Sequence, residues 1–212
     1  MDNYVITISR RFASKGHEIA GLTGRILGIP VYDRSAVEAR TMMSLQPDVQ
    51  TVSKSEKADA GSRDRHRNEN GGKSLIMGLL RREVRDEIRD EAQLEFERQS
   101  EVIRSLAAEG PCIVLGRCAD QIFQDHPRAL HVFIFASEEV RIRNTMDMLH
   151  TDEDAARTLM KNEDRAREAY RRRFSTHPDD EVAGHHILID SGKLGAAKTA
   201  DILAQAAKYL FL

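Results

Sequence analysis

Tryptophan is missing from this 212-residue chain, aromatic residues make up only 5% of it, and there are five prolines and two cysteines. Two cysteines exclude a disulfide-stapled scaffold. Cys112 and Cys118 flank an apolar run and a glycine with no further ligands at zinc-site spacing, so they read as buried, reduced thiols. No apolar run approaches a membrane span, and the N-terminus lacks the charged and apolar regions of a secretory leader. The expectation is a cytoplasmic protein with no membrane partner. Charge of one sign is not in excess either: 32 Lys and Arg against 34 Asp and Glu leave a formal −2, with no global pull towards nucleic acid. At this length one good core forms, so residues 1–212 are read as a single domain.

The chain opens on Tyr4-Val5-Ile6-Thr7-Ile8, the composition of a strand buried on both faces. A polar stretch from Ser9 to Gly16 follows. From His17 the pattern turns helical, with Ile19, Leu22 and Ile26 on one stripe. Strand, tight loop and helix frame a phosphate-binding loop, where backbone N–H groups and the positive helix end face an anion. The nucleotide-binding signature G-x-x-x-x-G-K-S/T is degenerate here: Lys15 or Gly16 stands near its lysine, and Glu18 replaces its hydroxyl residue. Many parallel-sheet proteins open this way and bind nothing, so these residues alone leave both readings open.

Gly28 closes the first helix, and residues 29–33 form a short second strand ending on Asp33. A helix over 34–43 precedes a polar excursion, residues 44–73, which has nothing larger than Ala to bury from Ser53 onward and is expected to be mobile. A long helix over 75–108, with room for one break, carries Phe96, Ile103 and Leu106 on its stripe. The strand Cys112–Leu115 runs into Gly116-Arg117-Cys118-Ala119-Asp120, and polar groups just past a strand end are where open parallel sheets gather ligand contacts. A surface ion pair between Arg117 and Asp120 is the alternative. His131–Ala136 is the clearest strand, and Ser137 caps the helix after it. Thr151 and Asp154 read as a capping box for a helix ending in five arginines between positions 165 and 173. Guanidinium forks suit phosphate, while pairing with the acidic long helix is the competing account. Arg167 and Arg171 share a face with Asp164, whereas Arg165, Arg172 and Arg173 lie towards an edge or solvent. A last strand over 186–190 and an Ala-rich helix complete an α/β fold. It is a three-layer α/β/α arrangement around a parallel sheet of about five strands.

The segments ITISRRFASKGHEIA, LGIPVYDR, FERQSEVIRSLAAEGPCIVLGRCAD and DRAREAYRRRF, in that order, resemble the cytidylate kinase-like family, a branch of the P-loop nucleoside monophosphate kinases. The resemblance implies an ATP- and Mg²⁺-dependent phosphotransferase acting on a nucleoside monophosphate or similar small acceptor. Its phosphate loop would be Ala13, Ser14, Lys15, Gly16, His17 and Glu18, with Glu18 as the metal ligand. Acceptor contacts would come from Asp33, Arg117, Asp120, Asp164 and Arg167, and catalysis from Lys15, Arg167 and Arg171. Residues 44–73 would be the monophosphate-binding insert and residues 151–175 an arginine-bearing lid. Family members usually read GSGGRE where this chain has Ala13-Ser14-Lys15-Gly16-His17-Glu18, and Cys118 replaces an aspartate that reads cytosine in true cytidylate kinases. These departures favour a second expectation, a nucleotide-binding sensor with little or no turnover. A purely structural role would leave the arginine cluster without a reason. Nucleotides are the partners implied; acceptor identity and oligomeric state stay open.

Overall fold

In the computed structural model, residues 3–45 and 73–212 are described, with side chains described outside 44–90. The excursion expected at 44–73 falls almost wholly outside the described residues; only its ends are seen, in flanking helices. Five strands form one parallel sheet: β1 (Val5–Arg10), β2 (Val31–Tyr32), β3 (Cys112–Leu115), β4 (Ala129–Phe135) and β5 (Ile187–Asp190), in the order β2-β3-β1-β4-β5. The connection from β1 leads towards β2, while that from β3 crosses β1 to reach β4. The carboxyl ends of β1 and β3 therefore open a crevice between diverging connections.

Alternation along the central strand divides the core. Tyr4, Ile6 and Ile8 face α1 (Gly16–Leu27) and α7 (Ser191–Phe211), packing with Ile19, Ala20, Ala200 and Leu203. Val5 points the other way, with Cys112 and Val114, onto Val37 of α2 (Arg34–Leu45) and Ile103 and Ala107 of α3 (Lys73–Glu109). A short α4 (Ala119–Ile122) follows β3. Beyond β4, α5 (Glu138–Leu149) and α6 (Glu153–Phe174) form an antiparallel hairpin closed by Ile142, Ala156 and Met160, with Phe12 packed against them.

Several local expectations change. Ile26 is 42% exposed, because the sheet-facing side of α1 consists of Ile19, Ala20, Thr23 and Gly24. The small residues are there for a reason: a Cβ on Gly24 would lie 2.7 Å from Val31. The cap of α6 is Asp152, which accepts from the Ala155 N–H at 2.8 Å, and not Thr151. The long helix α3 runs unbroken from Lys73 to Glu109. Ser137 does cap α5, and the left-handed Gly28 does close α1. Both cysteines are free and buried, and burial pushes each thiol up to about 12, which makes them poor nucleophiles. Among the described residues, no helix is long and apolar enough to cross a membrane.

Candidate functional site

The loop after β1 is built so that its carbonyls are spoken for. The Arg10 carbonyl accepts from Arg167 at 3.2 Å, that of Arg11 from the Ser14 hydroxyl at 2.9 Å, and that of Phe12 from Arg141 at 3.3 Å. Asn144 donates to the Ala13 carbonyl at 2.8 Å, Ser191 to that of Ser14 at 2.7 Å, and the Ile19 N–H to that of Lys15 at 2.9 Å. The Arg11 and Phe12 N–H groups are anchored on Ile134 and Asp164. Among the described residues, the N–H groups of 13–18 take no part in this scheme, and no side chain caps the start of α1. With six carbonyls already bonded, four of them from other segments, the donors of the loop and of the helix start are left for an anion.

Ala13 (φ 56°) and Lys15 (φ 59°) sit in the left-handed region, as do Arg117 (φ 60°) and Cys118 (φ 50°) after β3. Among the described residues, four of the five such non-glycine positions thus flank the two strand ends that form the crevice. Each costs of order 1–3 kcal/mol, strain that the surrounding packing holds in place.

Above these ends lies a cleft of about 300 Å³, lined by Arg10, Arg34, Arg117, Arg167 and Arg171 together with Asp120, Glu163, Cys118, Phe133 and Tyr170. The arginines are held rather than waving. Arg117 pairs with Glu38 of α2 and lies over the Tyr170 ring at 5.9 Å. Arg167 lies over Phe12 at 5.5 Å, and burial lowers its pKa. Arg171 stands 3.6 Å from the buried Asp120 carboxylate, which also has His185 Nε2 at 3.9 Å, and the Arg171 Nε and Nη1 atoms are buried without a hydrogen-bond partner. Arg10 is pushed down to about 10, by burial first and then by the neighbouring Arg167 charge, with Asp33 opposing. A guanidinium at that value is still protonated near neutrality, so the cleft holds five cations against two lining carboxylates.

The arginine helix is docked over this cleft. Phe174 stacks on Phe96 of α3 with ring centroids 4.2 Å apart, and Tyr170 meets the same ring edge-on. Its contact with the long helix is thus made through rings. Arg167 and Arg171 turn inward, while Arg165, Arg172 and Arg173 are exposed.

Other sequence-derived candidates lie elsewhere. Asp164 does not line the cleft: its Oδ1 accepts from the Phe12 N–H at 2.8 Å and its Oδ2 pairs with Arg141, so it ties loop to hairpin. Both oxygens hold protein partners, so Asp164 serves as a strut in this arrangement. Arg117 and Asp120 do not pair with each other. Ser14 is 1% exposed, with its hydroxyl spent on the Arg11 and Ile134 carbonyls, which leaves only its backbone to face an anion. Asp33 caps α2 through the Ala36 N–H at 2.9 Å, with its other oxygen 3.8 Å from His17. His17 and Glu18 are exposed in the first turn of α1. Lys15 lines a second cavity, of about 290 Å³, with Arg143, Asn144 and Asp147 of α5 and Ser191, Gly192 and Gly195 of α7, and it shares no lining residue with the arginine cleft. Arg10 and Tyr170 were not among the candidates from sequence. The usable signal for Arg10 is a cation at the last position of a buried strand, immediately before the loop.

The profile of the cytidylate kinase-like family matches residues 5–193. Among solved structures, an uncharacterized protein from Eubacterium ventriosum superposes with a TM-score of 0.71 at 20% identity, over 98% of this chain and 99% of that one. Shikimate kinase from Bacteroides thetaiotaomicron superposes at 0.50 with 14% identity, over 98% of this chain and 97% of that one. At these identities the likeness is one of fold, that of the P-loop kinases. No curated protein matches the chain.

Proposed function

Since the chain belongs to the cytidylate kinase-like family, we propose that it is a phosphotransferase that moves the γ-phosphoryl group of ATP to a small phosphate-bearing acceptor such as a nucleoside monophosphate. The observation that carries this reading is the juxtaposition of a loop whose N–H groups are free with a cleft lined by five arginines. Phosphoryl transfer asks a protein mainly for positioning and for countering charge on the moving group. An acceptor phosphate is already anionic, so no general base is needed. In this reading the N–H groups of 13–18 hold the donor phosphates, and Arg117, Arg167 and Arg171 hold the acceptor phosphate and the group in transit. The cavity beside Lys15, between α5 and the start of α7, lies next to the loop and suits the donor's nucleoside.

Among the described residues no three carboxylate, His or Cys side chains gather to hold a metal. That fits Mg²⁺ arriving with the nucleotide, since the ion usually takes one or two protein carboxylates and completes its shell with phosphates and water. Glu18, exposed in the first turn of α1, is a carboxylate that would hold it there, and the helix start favours its charge. When bound, Mg²⁺ would supply charge neutralisation on the donor phosphates.

One observation favours a second reading, a nucleotide-binding sensor: the loop has neither a lysine at position 16 nor a hydroxyl at 18. A phosphotransfer assay with Mg²⁺ and a panel of monophosphate acceptors separates the two. Transfer to at least one acceptor supports the enzyme. ATP binding without transfer supports the sensor, and absence of ATP binding sinks both.

A further inference from the structure

The loop's missing lysine raises the question of which cation does its work. Lys15 was the sequence's candidate, but it lines the cavity beside α5 and the start of α7 and is not among the residues of the arginine cleft. At position 16 there is no room for a side chain. A Cβ built on Gly16 would lie 2.8 Å from Cγ and 3.0 Å from Cβ of Arg10, and these are stem atoms that cannot swing aside as a side-chain tip can. The Arg10 stem thus crosses the start of α1 where a side chain at 16 would leave the backbone. Its guanidinium continues to the end of β3, where a Cβ on Gly116 would be 2.3 Å from Nη1. Gly116 has φ +81°, so that position favours glycine on backbone grounds as well. Two glycines, one on each side, make the channel in which this arginine lies.

Arg10 is also without a counterion. Among the described residues no carboxylate lies within ion-pair distance of it, although Arg34, Arg117, Arg141, Arg157, Arg171 and Arg172 all have one. Arg167 and Arg117 are close enough to destabilise its charge, and Asp33, which lies beyond ion-pair distance, opposes them only in part. A half-buried guanidinium without an ion pair, set beside two like charges, favours an anion that joins them.

We infer that Arg10, from the end of β1, is the phosphate-contacting cation that stands in for the loop lysine, and that Gly16 is glycine because Arg10 occupies its side-chain space. This rests on the nucleotide-binding reading above. It predicts that the two positions are exchangeable as a pair and incompatible when both are occupied.

The test is a set of ATP titrations with Mg²⁺ on the parent chain, Arg10→Met, Arg10→Ala, Gly16→Lys and the Arg10→Ala/Gly16→Lys double variant, with thermal unfolding to confirm folding. Methionine keeps the stem against Gly16 and removes only the charge, whereas alanine also removes the Cγ that stands 2.8 Å from the side-chain position of residue 16. Arg10→Met and Arg10→Ala should each weaken ATP binding by about 10–100-fold, the scale of a charge-assisted hydrogen bond. Gly16→Lys alone should not tighten binding, because Arg10 blocks it. In the double variant, lysine at 16 should recover at least about tenfold of what Arg10→Ala lost, a dependence on background that a packing role would not produce. A folded Arg10→Met variant that binds ATP within twofold of the parent overturns the assignment, as does a Gly16→Lys effect that is the same in both backgrounds. A parent chain that binds no ATP overturns the nucleotide reading itself, which is a different result.

Discussion

Asp164→Ala tests whether this carboxylate is a strut or a ligand contact. In the structure it accepts from the Phe12 N–H at 2.8 Å and pairs with Arg141, both side chains being 13% exposed. Among the described residues Arg141 has no other carboxylate, and its Nε is already buried without a partner. Truncation would leave a nearly buried guanidinium unpaired and a loop N–H unsatisfied. Breaking a fully buried pair costs about 3–5 kcal/mol, and losing a charged acceptor about 1.5–3 kcal/mol. The two share one carboxylate and some water access remains, so the expected loss is about 2–4 kcal/mol. Asp164→Asn keeps an acceptor for Phe12 and loses only the charge, so it should cost about half as much. Urea unfolding measures both. For a chain of this size the truncation should lower Tm by about 2–4 °C per kcal/mol. A loss under about 1 kcal/mol, or a fall in acceptor affinity at unchanged stability, would refute the strut and return Asp164 to the ligand.

Three further outcomes follow from the geometry. Arg167→Ala should lower kcat by about 10²–10³, the scale for one lost electrostatic stabiliser, while Arg172→Ala, exposed and paired with Asp179, should change it less than about twofold. Similar steady-state values for the two would dissociate the inward face of α6 from the chemistry. Ala13→Gly should raise unfolding stability by up to about 1 kcal/mol, since glycine removes the left-handed strain at φ 56° but brings more unfolded-chain entropy; a clear loss would contradict it. His131, buried with its Nδ1 2.7 Å from the Thr7 hydroxyl, is pushed down to about 4 by burial and then by His186. Its unfolded form binds a proton near pH 6.5 and the folded form does not, so stability should fall by up to about 3 kcal/mol between pH 6.5 and 4; a His131→Gln variant should lose clearly less over that range, keeping only the slope of other groups such as buried His185, and equal slopes would contradict the assignment.

The strands were legible because each is a short apolar run between turn residues, and Cys112–Leu115 is bounded by Pro111 and Gly116. Caps were legible where one residue stood alone, as with Ser137, and misread at Thr151, where Asp152 next to it is the stronger acceptor. The Ile26 expectation failed because hydrophobic spacing does not reveal that β2 approaches α1 closely enough to require Gly24. Arg167 and Arg171 could be placed on one face by helix geometry alone. Arg10 could not, because its role depends on Gly16 and Gly116 meeting it from two distant segments. For the same reason the sequence left Asp164 with the cleft, when its partners Phe12 and Arg141 come from the loop and from α5.

The central claim is that donor phosphates bind over the free N–H groups of 13–18 and meet the arginines of the cleft. A crystal structure with a non-hydrolysable ATP analogue and Mg²⁺ tests it most directly. The account predicts the triphosphate across the start of α1, with its terminal phosphate within hydrogen-bond distance of Arg10 or Arg167. A nucleotide bound away from that loop, or a fully soaked crystal with nothing over residues 13–18, would contradict it.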